Sequence, residues 1–173
     1  MPIYHYTQPL AIDITPKSIV YKTNGEKVCT FQRYYSNNLK RWLDRAMEYR
    51  YFLRYDIYDL NDQIIFTCKK VSKKGRVYYQ AYDYETKEHY TITYDKWKEL
   101  VADLLIIGKD LNIVIDKELE DWTHYLWEGK EIARWRAKLE EEFLIELEIS
   151  DDSPIQNPAF FIAISQCTLY IGG

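Results

Sequence analysis

Apolar and polar positions alternate along most of this chain, in short runs broken by turn-forming residues. Within 142–149, Phe143, Ile145, Leu147 and Ile149 fall on one side, and Glu142, Leu144, Glu146 and Glu148 on the other. Side chains alternate faces along a strand, so this strand has one buried and one largely wet face. Leu111, Ile113 and Ile115 repeat the pattern within 111–117. Comparable runs cover 2–8, 17–23, 26–34, 51–59, 63–71, 76–84, 88–94, 103–107, 121–127 and 130–138, close to the spacing of an all-β fold. Asn24-Gly25 predicts a type I′ hairpin turn. Further turns fall at Leu60-Asn61-Asp62, Lys74-Gly75, Glu85-Thr86-Lys87 and Glu128-Gly129. Twelve antiparallel strands in so short a chain predict a closed barrel, because closure removes exposed sheet edges.

Two segments follow a helical period instead, and a third is undecided. In 37–50, Leu39, Trp42, Leu43, Ala46 and Met47 recur at i, i+3, i+4, i+7 and i+8, with Lys40, Arg41, Asp44, Arg45 and Glu48 opposite. Ser36 or Asn37 supplies the N-cap oxygen. The apolar face of such a helix is expected to pack on its parent domain. In the segment 95–105, Trp97, Leu100, Val101, Leu104 and Leu105 fit a helical period, and the segment reads either as a short helix leading into a strand or as an irregular strand. Near the C-terminus, Asn157 is a good N-cap and Pro158 suits the first helical turn. Ten of the thirteen residues 159–171 are apolar and do not form one stripe. A helix apolar on all sides is buried in protein or in lipid. Thirteen residues reach only about 20 Å, short of the ~30 Å hydrocarbon core, so burial inside the β structure is expected.

Composition narrows the functional classes. The chain has 173 residues, 47% of them hydrophobic, enough for a core and for one domain over 1–173. Cys29, Cys68 and Cys167 are odd in number and widely spaced, which argues against a disulfide framework or a CxxC zinc site and suits a reducing cytosol. The first residues lack a basic segment followed by an apolar run, so no secretory signal is expected and the protein is placed in the cytoplasm, peripheral at a membrane if it meets one. Residues 1–100 carry 17 Lys/Arg against 12 Asp/Glu, and residues 101–173 carry 6 against 15; the overall net charge of −4 is therefore the sum of +5 and −9. That balance disfavours a global nucleic-acid binder but leaves room for a local basic patch. His5, His89 and His124 form no ligand spacing, and no nucleophile motif or phosphate-cradling Gly-rich loop occurs, so neither cofactor, metal nor enzyme activity is expected. The acidic groups at 118–121, 140–142 and 151–152 read as solvated turns, with Asp152 or Ser153 bonding local backbone amides.

Twelve strands followed by one very apolar C-terminal helix resemble the tubby C-terminal-like superfamily, which includes tubby, the LURP-one-related proteins and the phospholipid scramblases. The resemblance is carried by Trp97-Lys98, Gly108-Lys109-Asp110, Ile132-Ala133-Arg134-Trp135, and Asp151-Asp152-Ser153 leading into Asn157-Pro158-Ala159-Phe160-Phe161-Ile162-Ala163-Ile164-Ser165. It covers essentially the whole chain and is closest to small bacterial proteins of the YxjI type. It implies a closed barrel threaded by a central helix, in which Ala159, Phe160, Phe161, Ile162, Ala163, Ile164, Leu169 and Ile171 are structural. It also implies a non-enzymatic protein that binds a partner, a phospholipid above all, on its outer surface, since a filled barrel leaves little lumen. The Pro-rich region, palmitoylated cysteines and calcium segment of scramblases are not visible, so lipid scrambling is not implied.

The candidate binding residues are basic. Lys69, Lys70, Lys73, Lys74 and Arg76 form the densest run, at a hairpin where they could hold the phosphate of an anionic headgroup. Lys40, Arg41 and Arg45 make the predicted amphipathic helix a second candidate, and Arg33, Arg50 and Arg54 could extend its patch. The bland alternatives are a solvated turn and a helix packed on its own domain. Tyr78, Tyr79, Tyr82, Tyr84, Tyr90 and Tyr94 interleave with the basic region, but read better as sheet packing than as base stacking. A protein-interaction or self-assembly module is the alternative partner class, motivated by the opposite charges of the two halves. Sequestration of a small molecule or nucleotide has no positive feature in its favour.

Overall fold

The alternating runs form twelve strands: β1 Ile3–Gln8, β2 Ser18–Lys22, β3 Lys27–Arg33, β4 Arg54–Tyr58, β5 Ile64–Lys73, β6 Arg76–Asp83, β7 His89–Tyr94, β8 Leu104–Ile107, β9 Asn112–Lys117, β10 Thr123–Trp127, β11 Lys130–Leu139 and β12 Phe143–Ile149. The computed structural model describes residues 1–8, 16–47, 51–73, 75–94, 103–117 and 122–169. Every strand pairs antiparallel with its sequence neighbours, and β1 also pairs with β12, closing the barrel. Among the described residues, the basic first part of the chain (β1–β7) and the acidic remainder (β8–β12) therefore form two contiguous walls. On the acidic wall, cross-strand pairs Arg134–Glu148 and Arg136–Glu146 tie β11 to β12, and both guanidinium groups lie over the Trp122 ring.

Two helices complete the fold: α1, Asn38–Ala46, between β3 and β4, and α2, Pro158–Thr168, after β12. The Asn157 side chain accepts from Ala159 N at 3.0 Å, and Pro158 starts the first turn of α2, as expected from their residue types. Ser153 prepares the entry to α2: its Oγ accepts from Ile155 N and donates to Ile155 O. Gln156 Nε2 donates to three carbonyls, those of Ser150, Asp151 and Ser153.

Every residue from Ala159 to Thr168 is buried. The strands supply the surrounding shell, with Ile57, Phe66, Ile92, Leu104, Ile106, Ile113, Ile115, Ile145 and Leu147 fully enclosed. Polar side chains on different sides of α2 bond to different walls. Ser165 Oγ and the Tyr125 hydroxyl of β10 lie 2.6 Å apart. Gln166 Nε2 donates to the Tyr6 hydroxyl of β1 at 3.1 Å, and Cys167 Sγ donates to Cys68 O of β5 at 3.1 Å. Burial on all faces requires such partners, because an unpaired polar group in the interior costs about 1–3 kcal/mol. Of the residues the resemblance assigns to this helix, Leu169 caps it half-buried and Ile171 lies outside the described residues.

Three sequence expectations need correction or qualification. At Asn24-Gly25 only Gly25 has positive φ, +83°, whereas a type I′ turn needs it at both positions. Lys22 N donates to Glu26 O, and Gly25 N to Lys22 O, so this is a three-residue hairpin loop; Asn24 Oδ1 accepts from Glu26 N instead of following Gly25 into the left-handed region. Of the ambiguous segment 95–105, Leu104 and Leu105 are strand, and 95–102 lie outside the described residues. The third correction, the orientation of α1, defines the candidate site. Among the described residues no helix is long and apolar enough to cross a membrane.

All three thiols are buried, and burial pushes Cys29 up to about 12 and raises Cys68 well above the usual thiol range. The thiolate is the reactive form. Native protein at pH 8 is therefore expected to give no fast reaction with Ellman's reagent, and three thiols per chain after denaturation. A fast native thiol would mean that the wall holding Cys29 and Cys68 opens.

Candidate functional site

β3 ends at Arg33 and the chain turns through Tyr34, Tyr35 and Ser36 into α1. Asn37 caps the helix, its Oδ1 accepting from Lys40 N at 2.8 Å. The residue that fastens α1 to the barrel is an acid. Asp44 is fully buried, and its Oδ2 accepts from Arg33 Nη2 and from the Tyr35 hydroxyl, each at 2.7 Å. Its Oδ1 accepts from the backbone N–H groups of Tyr51 and Phe52, both at 2.9 Å. One carboxylate thus joins the end of β3, the helix, and the approach to β4. Burial, followed by donation to Asp44, raises the Tyr35 hydroxyl well above the usual phenol range.

The apolar side of α1 consequently faces outward. Leu39 is 64% exposed, Trp42 67%, Leu43 38% and Met47 48%. The expectation that this face packs on its own domain is overturned. The apolar residues span an arc of about 140° at 100° per residue, and Asp44 lies to one side of it. Four hydrogen bonds converge on Asp44, one of them the ion pair with Arg33, and turning the helix over would break all four.

Beside α1 lies an open cleft of about 230 Å³, between the helix, the start of β4 and the middle of β5. Its lining brings together Lys40 of α1, Arg54 of β4, and Lys69 and Lys70 of β5, with Tyr34, Tyr35 and Phe52 as aromatic walls. Arg54 and Lys69 are direct cross-strand partners. Like charges so placed destabilise a sheet, and here the cost is only partly relieved. Arg54 Nε donates to Asp56 Oδ1 at 2.9 Å, and the guanidinium carbon sits 4.4 Å from the Tyr34 ring centre. Lys69 is exposed and has no carboxylate partner among the described residues. Lys40 Nζ stands 5.7 Å from the Phe52 ring centre. The cleft thus gathers basic side chains from three elements between aromatic rings, with the Asp56 carboxylate bonded to Arg54 beside it.

The fold divides the sequence-predicted residues. Lys69, Lys70 and Lys40, from separate candidate groups, share the cleft. Lys73 and Arg76 face each other at the far tip of the β5–β6 hairpin, about 14 Å further along the strand; Lys74 lies outside the described residues. Arg41 and Arg45 are exposed on α1. Of the possible extensions, Arg54 enters the cleft, Arg33 is buried against Asp44, and Arg50 lies outside the described residues. The aromatic walls and the role of Asp44 were not anticipated; an acid on the polar face of a basic helix was the one available signal. The tyrosines divide as well: Tyr79 and Tyr90 are buried, whereas Tyr82 and Tyr84 pack edge to face on the outside with ring centres 4.7 Å apart. Among the described residues no group of three or more His, Cys, Asp or Glu is placed to hold a metal ion.

Comparison with known proteins adds one match. The family model described as Tubby C-terminal like domain matches residues 4–171. No curated protein and no solved structure matches the chain significantly.

Proposed function

The chain belongs to the Tubby C-terminal like family, and from that premise we propose that it is a non-enzymatic barrel that binds an anionic phospholipid headgroup in the cleft of Lys40, Arg54, Lys69 and Lys70. Members of the family are generally non-enzymatic binding barrels, and phospholipid is the family's expected ligand class. The observation that carries the reading is the meeting of four cations from three elements, two of them opposed across a β ladder. A fold keeps such a costly juxtaposition more readily when an anion completes it. The interior is not the binding place, because α2 fills it with ten consecutive buried residues.

Co-sedimentation with phosphatidylcholine vesicles, with and without phosphatidylglycerol, tests the proposal. Binding is expected only to the anionic vesicles, and to weaken from low to physiological salt as screening increases. Each cation near an anionic surface contributes about 1 kcal/mol, so Lys69→Ala should weaken binding roughly fivefold. Absence of binding at low salt, or equal binding to neutral vesicles, would refute the headgroup reading.

A further inference from the structure

We propose that α1 is a membrane-insertion element: Leu39, Trp42, Leu43 and Met47 enter the headgroup–acyl boundary of an anionic bilayer while the helix lies along its surface. The proposal builds on the headgroup reading above, and adds that the ligand is met in a bilayer, with one helix in it. A surface helix ordinarily spends its apolar stripe on its own core. Here the inward anchor is Asp44, and the stripe is left exposed with Trp42 as its most exposed member. The anchor also fixes the charge. Asp44 is the only acid in α1 and is buried against Arg33, so the helix presents Lys40, Arg41 and Arg45 to the outside. Asp44 therefore balances Arg33 and not these cations; Glu48 lies outside the described residues.

This is the composition of an interfacial helix: Trp and Leu on one side, Lys and Arg on the other, with low overall hydrophobicity. Nine residues extend about 14 Å, which suits a helix lying in the interface and not one crossing it. Tyr51, also exposed, sits beside the C-terminal end of the helix through its backbone bond to Asp44, and Trp and Tyr favour the headgroup level. The cleft opens beside Lys40, so insertion of the stripe and capture of a headgroup use the same approach. A second copy of the chain is a poorer occupant. Two-fold association over this face would set the cations of one α1 against those of the other.

The test compares Trp42→Ala, Leu39→Ala and Lys69→Ala in two assays: partition onto phosphatidylglycerol-containing vesicles, and NMR titration with soluble glycerophosphoglycerol. Both apolar positions are exposed, so thermal unfolding should stay at the wild-type temperature. Trp42→Ala is expected to lower vesicle partition by about tenfold, the effect of withdrawing one large apolar side chain from lipid, with titration by the soluble headgroup unchanged. Lys69→Ala should weaken both. Lipids brominated near the headgroup should quench wild-type tryptophan fluorescence more than that of Trp42→Phe. Wild-type vesicle partition in Trp42→Ala, with Lys69→Ala impaired, would overturn insertion and leave the headgroup reading standing. Loss of partition in Trp42→Ala, with Lys69→Ala normal in both assays, would support insertion and refute the cleft. A lipid-free dimer that Trp42→Ala converts to monomer would identify the face as a self-association surface and overturn the proposal.

Discussion

Phe161→Asp is expected to abolish folding: no cooperative thermal transition by circular dichroism, and recovery only in the insoluble fraction. Phe161 is fully enclosed, with the Tyr125 ring edge-on at 5.1 Å and the Phe160 ring at 5.0 Å. Truncating such a side chain to alanine costs about 3–5 kcal/mol. A domain of this size has roughly 5–15 kcal/mol of stability in total, so Phe161→Ala should fold but melt at markedly lower temperature. Aspartate loses the same packing and also buries a charge with no partner, which exceeds what remains. A soluble Phe161→Asp protein with a wild-type melting curve would show that α2 is not enclosed by the barrel.

The second large effect is expected at Asp44. Removing one partner of a buried ion pair costs about 3–5 kcal/mol, because the other charge stays in the interior. Asp44→Ala should lower the urea midpoint accordingly, and it also strips an acceptor from the Tyr35 hydroxyl and the N–H groups of Tyr51 and Phe52. Asp44→Asn should be nearly as costly. Its single oxygen can serve the two backbone N–H groups, but its amide then points a donor at Arg33 Nη2 and Tyr35, which are donors themselves. Replacing both members of the pair, as in Arg33→Met with Asp44→Leu, should recover only the part of the loss due to the unpaired Arg33 charge, since the Tyr35 hydroxyl and the N–H groups of Tyr51 and Phe52 still lack their acceptor. An unchanged midpoint in Asp44→Ala would mean that α1 is held to the barrel by something other than this carboxylate.

These two positions differ in how they could be read beforehand. Phe161 belongs to a segment whose fate is local. Ten apolar residues in thirteen, started by Asn157 and Pro158 and too short for a bilayer, have few places to go. The strands were legible for the same reason. Alternation such as that of Ile145, Leu147 and Ile149 specifies both the extended backbone and the face that turns inward, within each run. Asp44 offered no such signal. On the helical wheel it is one polar residue among five, and its burial depends on Arg33, Tyr35, Tyr51 and Phe52, which meet it only when the chain on both sides of α1 is already folded.

The basic residues follow the same division. Lys69 through Arg76 are a cluster in sequence, but strand residues advance about 3.4 Å each, so the run is stretched along β5 and over a hairpin tip. The cluster in space is a different one, drawn from α1, β4 and β5. The pattern of hydrophobic and polar positions by itself determined the twelve strands and the buried C-terminal helix, because the strands follow from the alternation within each run and the helix from a segment apolar on all sides and too short for a bilayer. Only the tertiary structure decided which way α1 faces and which cations meet, because both depend on contacts between segments that the chain brings together by pairing strands.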